Sequence, residues 1–169
     1  MSQLGTLAAI TTTMTLASAI VSILSRTPTL LAMTAALSKS ESESSGAQVV
    51  EGFHDVPLNT PLGRIRENVE ICRAIWGRER LEVKGAQYTV PLAADQGRGL
   101  GKPLKIINQP VRDTIPISIA AVTSKAVAQA ARIAEGWLRL FSLPEKADAA
   151  WGTSLAAGAV RLSSRSRTA

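Results

Sequence analysis

The segment Ile115–Phe141 constrains this chain more than any other. Ile115–Val122 (IPISIAAV) concentrates β-branched and small apolar residues and reads as a strand. Thr123 and Ser124 follow as helix caps, and Lys125–Ala134 continues on alanines as a helix. Glu135-Gly136 then turns into Trp137–Phe141 (WLRLF), a second strand. Strand, helix and strand in so short a run form a βαβ unit, which needs a right-handed crossover and a parallel sheet. Parallel sheets are covered on both faces. Met14–Leu24 (MTLASAIVSIL), apolar on both faces, supplies another strand of that kind. The fold class is α/β.

The remaining elements follow from caps and periodicity. Thr27-Pro28 opens a helix whose apolar face runs through Leu30, Leu31, Met33, Thr34 and Leu37. Ser38–Gly46 (SKSESESSG) is polar and low in complexity, and reads as a loop or exposed joint. Thr60 and Pro61 start a second helix, with Ile65, Val69, Ile71, Cys72, Ile75 and Trp76 as its buried stripe and Gly77 as its end. Leu81–Val90 is predicted as a hairpin turning at Lys84-Gly85, and Ala94–Gly101 as a loop. A last helix starts at Ser142–Glu145 and fades at Gly158. Ala159–Ala169, rich in Ser and Arg, is expected to be a disordered tail.

A chain of 169 residues is one domain long, and 46% hydrophobic with 19% charged residues is globular composition. One cysteine, Cys72, excludes an internal disulfide and a cysteine-based metal cluster. One histidine, His54, excludes a multi-histidine metal site, and no metal is expected. The net charge of +6 suggests an anionic partner, but Arg161, Arg165 and Arg167 in the tail carry half of it. Acids and bases mix elsewhere without interleaved aromatics, so no nucleic-acid partner is expected. Leu4–Leu24 is long enough to cross a bilayer, yet no positive charge precedes it as in a signal peptide.

The chemistry concentrates where Ile115–Val122 meets the following helix. Free amides and the positive end of the helix dipole favour an anion there, and Thr123 and Ser124 add hydroxyl donors; ordinary capping is the competing reading. Ser18–Ser22, small residues on the first strand, are a candidate second wall. His54, close to Glu51 in a predicted loop, could do acid–base work or be a solvated or capping histidine. Arg64, Arg66, Glu67 and Glu70 read as a solvated helix face, and Cys72 as packing. No phosphate loop, paired-carboxylate motif or nucleophile elbow is present, and no catalytic residue is assigned.

Four segments carry a resemblance: Arg26–Leu37 (RTPTLLAMTAAL), Gly46–Trp76 (GAQVVEGFHDVPLNTPLGRIRENVEICRAIW), Gly99–Val122 and Ile133–Gly158. With tripeptides such as VEG and EGW, they resemble the luciferase-like flavin/deazaflavin oxidoreductases, closest to the actinobacterial coenzyme F420-dependent subgroup. The resemblance implies a (β/α)8 barrel, of which this chain would be an incomplete part: a partial barrel over 1–158, with 38–46 replacing a strand, and the tail over 159–169. The family's first two strands have no counterpart before Met1, and the likeness stops after Gly158. It also implies hydride transfer between a deazaflavin, coenzyme F420 (alternatively FMN), and a small organic substrate. Implied cofactor contacts are Ser18, Ala19, Ile20, Val21 and Ser22 on a bulged strand with a non-prolyl cis peptide at Ala19-Ile20; Gly46, Ala47 and Val50; and Ala120, Ala121, Val122, Thr123 and Ser124, where Val-Thr-Ser replaces the usual glycine and proline. Matching Leu16–Leu37 to a barrel strand and helix argues against a membrane span and for a cytoplasmic protein. A non-catalytic remnant or interaction module is the alternative function, and a membrane-attached protein a third. Open sheet edges would favour self-association.

Overall fold

A computed structural model of the chain describes residues 12, 17–22, 26–35, 39–43, 47–107, 115–139 and 143–165. Its first half runs β1 (Ala17–Ser22), α1 (Pro28–Ala35), β2 (Lys39–Glu43), α2 (Ala47–His54) and α3 (Pro61–Trp76). A two-stranded antiparallel hairpin follows, β3 (Val83–Lys84) with β4 (Thr89–Val90). Then come β5 (Ile117–Ala120), α4 (Ser124–Ile133), β6 (Gly136–Leu138) and α5 (Ala147–Arg165). β1, β2, β5 and β6 form one all-parallel sheet in that spatial order. The fold is α/β, and the βαβ unit predicted from Ile115–Phe141 lies at one end of the sheet.

The polar joint expected over Ser38–Gly46 holds a strand instead, and that strand is internal. Serine and glutamate have weak strand preference, so the sequence pattern of Lys39–Glu43 gives no sign of β2. Parallel partners on both sides supply its backbone ladder: Ser22 pairs with Glu43 toward β1, and Glu41 with Ser118 toward β5. Tertiary pairing overrides composition here. β1 falls within the apolar stretch Leu4–Leu24, most of which lies outside the described residues. Among the described residues no helix is long and apolar enough to cross a membrane.

Capping and burial explain the helices. Leu30 N–H donates to Thr27 Oγ1 at 3.3 Å, which starts α1 as its sequence predicts. All six residues of the α3 stripe are buried, and the Trp76 indole donates to the Ala32 carbonyl at 3.0 Å, locking α3 to α1. Thr60 does not cap α3 with its side chain. It adopts a left-handed backbone, and its hydroxyl donates to Gln87 Oε1 at 2.6 Å, tying the helix start to the hairpin. The hairpin turn is longer than Lys84-Gly85, with Gly85 N–H donating to the Tyr88 carbonyl.

Helix α5 runs through Gly158 to Arg165, so residues 159–165 are not the disordered tail expected from composition. The following run lacks proline, has Ala159 and Leu162 as good helix formers, and places Arg161 and Arg165 where the dipole favours cations. Gly158 is a contact point rather than a helix end. A Cβ there would overlap the Ala128 carbonyl and the Ala131 methyl on α4, so glycine lets the two helices close.

One sheet face packs against the helices. Ile117 and Ile119 on that face join Leu31, Ile65, Val69 and Ile75 in the core. Ser118 and Ala120, on the opposite face, are only half-buried.

Candidate functional site

In a parallel sheet with crossover helices, ligands sit beyond the C-terminal strand ends. Here those ends are Ser22, Glu43, Ala120 and Leu138, which follow one another across the sheet through pairings such as Ser22 with Glu43 and Ala120 with Leu138. Ala120 leads through buried Ala121 and exposed Val122 and Thr123 into α4, which starts at Ser124. The Ala121 carbonyl accepts the Trp137 indole N–H at 2.9 Å, and Ala121 N–H donates to the Leu138 carbonyl at 3.3 Å. Trp137 is braced in turn by Trp151 of α5, edge-to-face at 5.7 Å. The strand end is therefore anchored from β6, and the exposed Val122–Ser124 turn projects from a fixed base.

Thr123 is the N-cap of α4: its Oγ1 accepts from Ala126 N–H at 3.3 Å, and its carbonyl accepts from Val127 N–H at 2.9 Å. The capping reading of Thr123 thus holds. It does not exhaust the site, since a helix's first amides have no intrahelical acceptor. Those of Ser124 and Lys125 are the first of α4, and both residues are exposed, Lys125 adding a cation to the first turn. Lys125 went unassigned in the sequence, although its place in the first turn after a strand is a readable signal.

The structure brings some candidate residues together and separates others. Ser18, Ala19, Ile20, Val21 and Ser22 form β1, and the β1–β2 register shifts between Ser18 and Val21, so an irregularity falls where the resemblance sets a bulge; the cis peptide expected at Ala19-Ile20 is not found, the cis bond among the described residues being Val90-Pro91. β1 does not adjoin the Ala120–Ser124 turn. β2 lies between them, putting the two walls two strand spacings apart, about 10 Å. Ala47 opens α2 and is exposed, Val50 is wholly buried in the core, and Gly46 lies outside the described residues. Val50 therefore packs within the core cluster and is not exposed to a ligand.

His54 ends α2 and is exposed, rather than lying in a loop. Glu51 Oε1 accepts Leu58 N–H at 3.1 Å and so fixes the turn after the helix. Glu67 is not on a solvated face: it is 3% exposed and bonds the hairpin backbone. Burial pushes the Cys72 thiol up to about 12, so it stays protonated and inert, as packing requires. Among the described residues no group of three or more His, Cys, Asp or Glu could hold a metal ion.

The opposite sheet end is built for stability. Glu135 Oε2 accepts Ile117 N–H at 2.9 Å, and Glu135 N–H donates to the Ile117 carbonyl at 3.0 Å. Arg73 donates to both Glu135 and the Ile133 carbonyl. This cluster clamps α3, α4 and β5 at the N-terminal strand end, far from Thr123.

Comparison with known proteins agrees with this arrangement. The model of the luciferase-like monooxygenase family matches residues 1–167. A Mycobacterium tuberculosis protein, provisionally named a coenzyme F420-dependent oxidoreductase, is 39% identical over 141 residues, which is 78% of this chain and 41% of that protein. The structure of the coenzyme F420-dependent tetrahydromethanopterin reductase of Methanopyrus kandleri matches 95% of this chain and 49% of its own, with TM-score 0.76 and 19% identity. An F420-dependent secondary alcohol dehydrogenase, solved with an F420–acetone adduct, matches at TM-score 0.75 and 14% identity over 95% of this chain and 48% of its own. The chain spans about half the length of these relatives, and its fold is correspondingly part of their barrel. With sequence and architecture in agreement along nearly all of its length, the chain belongs to the luciferase-like monooxygenase family.

Proposed function

We propose that the chain is the cofactor-holding part of a coenzyme F420-dependent oxidoreductase acting on a small organic substrate. The single observation that carries this reading is the β5–α4 junction. The first amides of α4, those of Ser124 and Lys125, a capped helix start and the exposed residue Lys125 all follow directly on the C-terminal end of a parallel strand. That donor set suits an anionic tail such as a phosphate. The small residues Ala120 and Ala121 leave the strand end open, and the bulge of β1, two strands away, offers a second wall. Both features fit a deazaflavin; FMN, also an anionic ring cofactor, is the alternative.

When bound, a deazaflavin supplies a two-electron hydride acceptor or donor, which no side chain provides. The chain's own work is positional. Thr123 fixes the helix start, Ser124 and Lys125 offer donors to the anionic end, and Trp137 holds the strand end still through Ala121. A cytoplasmic setting is in keeping with the free thiol of Cys72.

The Mycobacterium tuberculosis relative and two of the structural neighbours carry F420 dependence in their names, which supports the deazaflavin over FMN. A non-catalytic binding module is the second reading. Its support is that the described residues hold four strand ends, where the family's active site draws on a full barrel. Parallel titrations of the full chain with the deazaflavin and with FMN, followed by cofactor fluorescence, test the proposal. Saturable deazaflavin binding, tighter than that of FMN, is expected, and equal or absent binding of both would overturn it. Bleaching of deazaflavin absorbance by a secondary alcohol would distinguish turnover from binding alone.

A further inference from the structure

We propose that the loop over residues 92–105 is a docking surface for an anionic phospholipid bilayer, which it meets with three leucines and three cations. The inference rests on this loop and holds whether or not a cofactor binds. Leu92, Leu100 and Leu104 are 53%, 81% and 65% exposed, and Arg98, Lys102 and Lys105 stand exposed among them. Asp95 is the one acid between Pro91 and Ile107. The ion pairs among the described residues are Arg66 with Glu67, Arg73 with Glu135 and Lys84 with Glu82, so no partner there neutralises the three loop cations.

The loop is built to present these side chains. Beyond one 3-10 turn at Ala94–Gln96 it has no regular structure, yet its two limbs meet. A Cβ on Gly101 would stand 2.6 Å from the Leu92 carbonyl oxygen, so glycine there lets the chain close on itself. Gly99 takes the left-handed φ of 70° on the way into that closure. Leu81 N–H donates to the Leu104 carbonyl at 2.9 Å, and Leu81 is buried in the core, which pins the loop to the fold. Compact loops with closed ends are frequently binding elements. Leu81 follows Gly77 at the end of α3 whose Arg73 reaches Glu135, so the anchor lies toward the strand ends opposite Thr123.

The chemistry favours a bilayer over a folded acidic partner. From Arg98 through Leu104, cations and leucines follow one another at every second residue. A bilayer uses both kinds at once: the leucines leave water for the acyl boundary, while ammonium and guanidinium groups stay level with the headgroup phosphates. An acidic protein face would match the cations and leave the leucines in water. Each cation near an anionic surface contributes about fivefold in affinity, and the leucines hold what the charges attract. The attachment is peripheral, in keeping with the absence, among the described residues, of a helix long and apolar enough to cross a membrane.

Flotation of the full chain with vesicles tests this directly, using phosphatidylcholine alone and phosphatidylcholine with about 30% phosphatidylserine. Binding to the anionic vesicles only is expected, with release as salt rises from about 0.05 to 0.5 M, a readout that needs no variant. Lys102→Gln with Lys105→Gln should weaken binding about 25-fold. Leu100→Asn with Leu104→Asn should weaken it at least about fivefold. Both double variants should keep the helical circular dichroism. Arg161→Gln with Arg165→Gln, which removes charge from the C-terminal run, should bind as the wild type does. Soluble polyglutamate should bind far more weakly than the anionic vesicles. Equal binding to both vesicles, binding to neither, binding insensitive to salt or to either loop variant, binding lost with Arg161→Gln and Arg165→Gln, or polyglutamate bound as tightly would each overturn the proposal.

Discussion

Glu67, in the second turn of α3, accepts the backbone N–H of Tyr88 at 3.0 Å across 21 residues of chain. The same carboxylate takes Ala86 N–H at 3.0 Å and Gln87 N–H at 2.9 Å, and so holds the whole hairpin turn. Its neighbour Arg66 stands 3.8 Å away and is largely exposed, so the three amides are its main partners. Gly85 completes the relationship, because a Cβ there would overlap the Glu67 carboxylate.

Removing this carboxylate should be among the most costly substitutions in the chain. Glu67→Ala leaves three amides without an acceptor and is expected to cost about 3–5 kcal/mol. Glu67→Gln keeps one oxygen and should cost less. Urea denaturation of the two variants checks both the size and the order.

Gly158→Ala separates two opposed effects. Helix propensity alone would stabilise α5 by about 1 kcal/mol. The added methyl would instead overlap the Ala128 carbonyl and force the α4–α5 contact apart, at about 1–3 kcal/mol. A lowered melting temperature is expected, and a raised one would show that the helices do not touch there.

Cys72 should make stability fall at high pH. Its folded thiol lies near 12 against an ordinary 9.0, because burial disfavours the thiolate. The folded state therefore binds a proton that the unfolded state releases. The contribution is fully present below pH 9 and lost as pH rises toward 12. Comparing urea midpoints of the wild type and Cys72→Ala from pH 8 to 10.5 should show a decline that the variant lacks in part. The same thiol should resist alkylation at pH 8 until the chain unfolds.

What was legible in the sequence followed strong local signals. The β5–α4–β6 unit, the Thr27 and Thr123 caps and the α3 stripe all appear where periodicity and capping set them. What failed depended on long-range partners. Lys39–Glu43 is a strand because β1 and β5 flank it, a fact that serine and glutamate do not advertise. Glu67 looked solvated because its ligands are amides in a hairpin about twenty residues on. Gly158 looked like a stop because glycine ends helices, whereas here it admits α4. Of the candidate site, the Thr123 turn was readable, while the strand separating it from β1 was not.

The anion-binding role of the β5–α4 junction is tested most directly by deazaflavin titration of three full-length proteins. Wild type and Thr123→Ser both keep the capping oxygen and should bind alike. Thr123→Glu gives up the capping hydroxyl but sets a carboxylate at the positive end of the helix dipole, which offsets that loss, and it puts a negative charge where the anionic tail would sit. A weakening of about 10–100-fold is expected for it, with unchanged helical circular dichroism. Equal affinity in all three proteins, or no binding by the wild type, would contradict the account.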